Sequence, residues 1–252
     1  MNVLEKTMAN AKKISLAVII FFGLINCHKA LSISFFLNGD NGAGPEDARP
    51  NSNAAAASFD GAAGILGPVS IINFEDQPVG NFSSLMAARG VTITLGNTSS
   101  EASGGIAATD DVKLGYNVTG NGSKHLRVVP IIEAGKVTVN FTFDIPVQAF
   151  GTYLTGVGTA NGDLHLLFND GTNQDFSITG YANGGVQFAG FISKDAYITS
   201  VTMELQNITS DSRDIFGIDD VRYVYTPEPA TLLLLGLGAR LCLRVRRGRR
   251  QF

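Results

Sequence analysis

Between Val137 and Ile145 the chain alternates strictly between apolar and polar side chains. Val137, Val139, Phe141, Phe143 and Ile145 fall on one face, and Thr138, Asn140, Thr142 and Asp144 on the other. A period of two predicts a strand with one face in a core, and Pro146 tends to end or kink it. Shorter runs of the same character predict strands over 91–95, 112–116, 126–129, 149–154, 164–169, 175–179, 186–192, 198–205 and 216–225. Between them lie the turn pairs Asn121-Gly122, Asn161-Gly162, Asp170-Gly171 and Asn183-Gly184. Each takes left-handed backbone at little cost. Only 82–88 reads as a short helix, and no long segment carries a 3.6-residue apolar stripe. Many short strands, tight turns and no alternating helices predict an all-β fold. The expected architecture is an antiparallel β-sandwich of the jelly-roll type, with a closed barrel as the competing arrangement.

The pattern divides the chain into four parts. Residues 1–30 read as a signal peptide: Lys6, Lys12 and Lys13 precede a nearly continuous apolar run over 14–25, which predicts a signal helix. Residues 31–68 are rich in Asn, Gly, Ala, Pro and Asp, with Ala54 to Ala57 in a row, and read as a flexible linker. Residues 69–226 carry the strand pattern and suffice for one core. Residues 227–252 form a tail of a different kind. Pro227-Glu228-Pro229 breaks the preceding strand, 230–239 is apolar, and Arg244, Arg246, Arg247, Arg249 and Arg250 crowd the end. This order suits a membrane, with a short hydrophobic helix in lipid and the arginines on the cytoplasmic side. Arg240 interrupts the apolar run, which is shorter than the roughly 20 residues of a full span.

That tail resembles the PEP-CTERM protein-sorting signal of exopolysaccharide-producing Gram-negative bacteria. The likeness rests on Pro227-Glu228-Pro229-Ala230-Thr231, the leucines and glycines of 232–238, and the terminal arginines. It implies recognition by a membrane-embedded exosortase, cleavage at the motif and passage to the cell surface or matrix. Many unrelated domains carry such a tail, so the resemblance implies an address and no activity.

Charge and cysteine usage sharpen this picture. The formal charge is -3, yet residues 31–229 hold nine basic and 21 acidic side chains, a net of -12. A body so acidic does not hold phosphate backbones, so nucleic acid is not an expected partner. It does attract divalent cations. Both cysteines, Cys27 and Cys242, lie in the terminal segments, so no disulfide can brace the body.

Candidate chemistry concentrates at the two ends of the domain. Asn73-Phe74-Glu75-Asp76 stands near its start and Gly217-Ile218-Asp219-Asp220-Val221 near its end. First and last strands of a jelly roll often lie side by side, so these carboxylates can converge, and hard oxygen ligands suit Ca²⁺. Alternation puts Asp219 and Asp220 on opposite faces unless a bulge intervenes. The same strings resemble the ends of calcium-containing jelly-roll modules of the MAM-like and carbohydrate-binding groups. The resemblance implies a structural Ca²⁺ on Glu75 and Asp219, with Asp76 or Asp220 nearby. The competing reading is a solvent-facing acidic strand. A second acidic loop, Asn169 to Asp175, reads as a hairpin turn.

Signs of catalysis are sparse. The body has two histidines, His125 and His165, with no nucleophile elbow and no His-Glu-x-x-His. Sugar binding would use aromatic faces. There is no Trp, and Tyr116, Tyr153, Tyr181 and Tyr197 are the available candidates, each equally able to close the core. Two function classes follow. One is a structural or adhesive protein of the envelope or extracellular matrix, without an active site. The other is a carbohydrate-binding module held in an exopolysaccharide matrix. Exposed tyrosines clustered over a sheet would favour the second, and a smooth polar sheet the first.

Overall fold

The computed structural model describes residues 32–98, 104–131, 136–158, 161–206 and 214–226. The expected signal helix and the tail from Pro227 to Phe252, with its hydrophobic helix and arginines, lie outside these residues. The described residues form an antiparallel β-sandwich with one helix, in keeping with the all-β expectation.

The organising element is one long strand. Residues predicted as two strands around Pro146 form a single bent strand, β8 in chain order (Lys136–Thr155). Its first half lies between Ile198–Gln206 (β12) and Val91–Gly96 (β5). Asn161–Phe168 (β9) and Asn173–Thr179 (β10) extend this front sheet beyond β12, and Ser84–Ala88 (β4) extends it beyond β5. The second half of β8 lies between Gly185–Ser193 (β11) and Phe216–Tyr225 (β13). Ile33–Asn41 (β1) borders β11 in this back sheet. The far edge of β13 is shared by Ser70–Ile72 (β2) and His125–Val128 (β7). Gly105–Ala107 (β6) and Gly80–Asn81 (β3) follow β7. First and last strands of the predicted domain are thus neighbours, as expected.

The alternation in β8 decides what is buried. Val137, Val139, Phe141 and Phe143 all face the interior, at 0–4% exposure. Ile145 does not: it is 40% exposed. The bend at Pro146 cuts the alternation short, because proline offers no N–H to the ladder. Beyond the bend the inner face is carried by Phe150, whose ring meets Phe141 at 5.1 Å and Phe191 at 5.6 Å between centroids. Phe176 of β10 stacks on both Phe191 and Phe35, so the two sheets also meet along their β10 and β1 edges.

A second core lies behind the back sheet. The segment expected as a linker contains β1 and a helix, α1 (Pro50–Ala63). Pro50 stands in the first turn, where its missing N–H costs nothing. Asp40 of β1 caps the helix. Its Oδ1 accepts from the Asn51 backbone N–H at 3.0 Å, and its Oδ2 from the Ser52 N–H and hydroxyl, both at 2.8 Å. Burial favours the neutral acid, but the Ser52 and Asn51 hydrogen bonds outweigh it and hold the Asp40 pKa below its ordinary value. Composition concealed this helix because alanines bury well without looking hydrophobic in a row. Ala56, Phe59 and Ala63 pack on Ala149, Phe188, Ile192 and Val224. Gly151 and Gly190 face each other across β8 and β11. A Cβ on Gly190 would come within 2.9 Å of both Phe59 and Phe188, so the pair makes room for those rings.

Two other expectations are corrected. Residues 82–88 do not form a helix. Pairing of Ser84–Ala88 with β5 overrides the helix preference of Leu85, Met86 and the alanines. Residues 112–116 form a turn closed by an Asp111–Gly115 bridge, with Gly115 at φ +95 packed on Gly217.

The bend yields a test. Phe141→Ala should destabilise the fold by about 3–5 kcal/mol. Ile145→Ala, from the same predicted face, should change stability by less than about 0.5 kcal/mol. Urea denaturation of the two variants checks this. Equal losses would mean that the alternation runs through Pro146 after all.

Candidate functional site

Glu75 from the start of the domain and Asp219 and Asp220 from its end bind one loop, and Asp76 does not. Residues 117–124 run over the end of the back sheet, and both Glu75 and Asp219 hold them. Glu75 Oε1 accepts from the backbone N–H of Ser123 at 2.9 Å and of Lys124 at 2.8 Å, and from Asn117 Nδ2 at 3.2 Å. Asp219 Oδ2 accepts from the N–H of Val118 at 2.7 Å and of Thr119 at 3.2 Å. The Thr119 hydroxyl reaches Asp219 Oδ2 at 3.3 Å and Asp220 Oδ1 at 2.7 Å.

A bulge makes this possible. Between Asp219 and Arg222 the register of β13 against β8 shifts, and Asp220 takes φ +47. The extra residue turns both aspartates toward one loop, which strict alternation forbids. Beyond the bulge, Arg222 lies across the Tyr153 and Phe188 rings and pairs with Asp60 of α1 at 3.2 Å. Asp220 Oδ2 lies 3.4 Å from the same guanidinium. Asp76 is exposed at the surface.

Several oxygens of this junction already have hydrogen-bond partners. Calcium takes six to eight oxygens at about 2.3–2.6 Å. The Glu75 Oε1 and Asp219 Oδ2 oxygens are engaged by N–H groups, and the Glu75 and Gln77 carbonyls by the Lys124 ammonium. Among the described residues no three acidic, His or Cys side chains gather as a metal-binding group. Asp219 Oδ1 is buried without a hydrogen-bond partner among the described residues. Burial, countered by the Val118 N–H and aided by the Asp220 charge, raises the Asp219 pKa to about 7.

His125 lies nearby, at the start of β7, fully buried. Its Nδ1 is 3.6 Å from Asp110 Oδ1, too far for a hydrogen bond, and neither ring nitrogen has a partner among the described residues. Burial and then the Arg127 charge lower its pKa to about 4, so the ring is neutral and the contact is not an ion pair at neutral pH. His165 stands elsewhere, on the front sheet, with Nδ1 2.9 Å from Asp175 Oδ1. The Asn169–Asp175 segment is a hairpin turn closed by Asp170, which accepts from the Thr172 N–H at 2.9 Å.

The tyrosines do not share a surface. Tyr116 is fully buried and donates to the Ala43 carbonyl at 2.6 Å. Tyr153 is 5% exposed and bonds Asn53 of α1. Both belong to the core beneath α1. Tyr181 is half-buried near the Gly185 end of β11, and Tyr197 is 42% exposed beyond its Ser193 end. The open face of the front sheet is polar. Asp175, His165, Thr202, Asn140 and Thr94 lie in register across five neighbouring strands. The Thr202 hydroxyl donates to Asn140 Oδ1 at 3.0 Å. Among the described residues of these strands no Phe, Tyr or Trp side chain alternates onto that face.

Sequence reasoning did not identify Lys124, Thr119 or Arg222 as partners in this junction. The Asn121-Gly122 turn was its one local signal, and Asn121 does take left-handed backbone at φ +62.

Comparisons with known proteins bear on the tail. The PEP-CTERM protein-sorting motif matches residues 226–250. The chain therefore carries a sorting signal that implies export and membrane-associated processing by an exosortase in bacteria. Among the described residues no helix is long and apolar enough to cross a membrane. No curated protein matches the chain. Solved structures similar to it include an exo-β-agarase, at 10% identity and TM-score 0.39 over 62% of this chain. The chain spans only 25% of that enzyme's length. The K2 cleaved adhesin domain of Lys-gingipain matches at 11% identity and TM-score 0.40, over 62% of this chain and 97% of that one. The family 29 carbohydrate-binding module CBM29_1 from Piromyces equi matches at 9% identity and TM-score 0.36, over 62% and 89%. Likenesses this distant carry no argument about what this chain binds or does.

The junction predicts opposed pH dependences. His125 has a folded pKa of about 4 against an ordinary 6.5, so the unfolded chain binds more protons between those values. Its contribution to stability therefore grows as pH rises from 4 to 6.5. Asp219, at about 7 against 3.8, does the reverse: its contribution shrinks as pH rises through that window. Relative to the wild type, His125→Leu should lose stability progressively as pH rises from 4 to 6.5. Urea titrations at half-unit pH steps measure this, and parallel curves for the two proteins would refute it.

Proposed function

We propose that this chain is an exported, non-catalytic structural or adhesive module of the bacterial envelope or extracellular matrix, addressed there by its C-terminal signal. The observation that carries the reading is the open face of the front sheet. It is a largely polar surface of hydroxyl, amide, imidazole and carboxylate groups, broken by exposed Leu167 and Met86, with no Phe, Tyr or Trp ring among the described residues to stack on a sugar. Protein–sugar grooves draw much of their affinity from aromatic faces. Here Tyr116 and Tyr153 are core residues, and Tyr181 and Tyr197 stand at opposite ends of β11.

The chemistry of the junction supports the same reading. Its carboxylates are held by backbone N–H groups, which fixes a loop. The two body histidines lie on different sheets, one buried and neutral, the other paired at the surface.

Two measurements test the proposal. In a bacterium with exosortase machinery, the full chain should appear in the membrane fraction and then outside the cell. Replacing Arg244, Arg246, Arg247, Arg249 and Arg250 with Gln, or deleting residues 227–252, should abolish the membrane stage. Unchanged distribution of both variants would remove the tail as an address. The full chain should also migrate unretarded in native gels containing neutral or acidic polysaccharides. Retardation lost in Tyr181→Ala or Tyr197→Ala would replace the proposal with the carbohydrate-binding alternative.

A further inference from the structure

We propose that the junction of the first and last strands is locked by the protein's own cation, the Lys124 ammonium, in place of a divalent metal ion. Two nitrogens of Lys124 make three hydrogen bonds to residues 75–77. The Lys124 backbone N–H donates to Glu75 Oε1 at 2.8 Å. Its Nζ donates to the Glu75 carbonyl at 2.7 Å and to the Gln77 carbonyl at 2.8 Å. The turn that presents those carbonyls is built for the purpose. Phe74 is buried and held at φ +62, and the Gln77 N–H closes back on the Phe74 carbonyl at 3.0 Å. A bulky residue in that region is uncommon and persists only where its surroundings enforce it.

The position of this ammonium is what argues against an ion. A calcium ion on Glu75 and Asp219 would need backbone carbonyls from these same chain ends to complete six to eight oxygens. The carbonyls of Glu75 and Gln77 are aimed instead at a compact charge with three donors. A second cation could not share them without strong repulsion at contact distance. The loop from Asn117 to Lys124 is thereby pinned at both ends. Asp219 holds its first turn and Glu75 with Lys124 its last. Glycine at 122 permits the second attachment, since a Cβ there would come within 2.6 Å of Glu75 Oε1 and 2.5 Å of Asn117 Nδ2. An exported domain without disulfides gains a staple that needs no dissolved metal.

The test uses the full chain, purified and followed by thermal unfolding in excess calcium and in excess EDTA. The wild type should unfold at the same temperature in both, and elemental analysis should find no stoichiometric calcium. Lys124→Met keeps the aliphatic stem and removes the charge. Its unfolding temperature should fall by roughly 3–10 °C, the loss of charge-assisted hydrogen bonds in a protein of this size. Calcium that raises the wild-type unfolding temperature, with EDTA reversing the gain, overturns the proposal. So does a Lys124→Met variant as stable as the wild type. If that variant does not fold, the wild-type comparison of calcium with EDTA decides alone.

Discussion

Strand β8 belongs to both sheets, and the rest of the architecture is constrained by that sharing. Its first half sets the front sheet between β12 and β5, and its second half the back sheet between β11 and β13. The bend at Pro146 turns one ladder into two packed layers. It brings Phe141 and Phe143 of one half onto Phe150 of the other, so the inter-sheet core is in part a contact of one strand with itself. Proline suits the corner because a bend is where a ladder can spare an N–H. The same corner exposes Ile145, which the alternation alone would have buried.

The centre of the back sheet is buried on both faces, and this shapes the second half of the molecule. Along β11 every residue from Gly185 to Ser193 is buried. One face meets the front sheet, and the other lies under α1 and the loop that carries Tyr116. Covering that face takes a helix of small side chains lying close to glycine-lined strands, with Phe59 and Phe188 over Gly151 and Gly190. Arg222 crosses the same layer, its guanidinium stacked on Tyr153 and Phe188 and paired with Asp60. Such a group resists replacement, since removing Asp60 would weaken the pairing of a largely buried cation.

Polar groups at the loop end are satisfied mostly within the chain. Glu75 and Asp219, separated by nearly the whole domain in sequence, divide one loop between them. Their role is that of clasps. Asp40 does for α1 what they do for the loop, capping first-turn N–H groups with a carboxylate from a neighbouring strand. Carboxylates in this body are used repeatedly as acceptors for backbone N–H groups. That is a chemical use for an acidic composition distinct from metal binding.

Strand periodicity, three of the four turn pairs and the charged ends were legible in the chain itself, because each is a local property; Asn161-Gly162, read as a turn, instead begins β9 and pairs with the end of β12. Period-two runs marked β5, β7, β9, β10, β11, β12 and β13 within a few residues, and the motif at residues 226–250 was readable as a sorting tail. The meeting of the domain's first and last strands was also foreseeable, from topology. Tertiary structure alone decided the rest. Helix α1 depends on a cap from β1 and on a back sheet that alanines can cover, neither of which is encoded within residues 50–63. The strand at 84–88 exists because β5 offers a partner, against local preference. The acidic ends were visible, but their partners were not. Which groups meet a carboxylate depends on which loop folds over it, and the contacts of Glu75 and Asp219 are set in space by a bulge at Asp220 and a lysine 49 positions from Glu75.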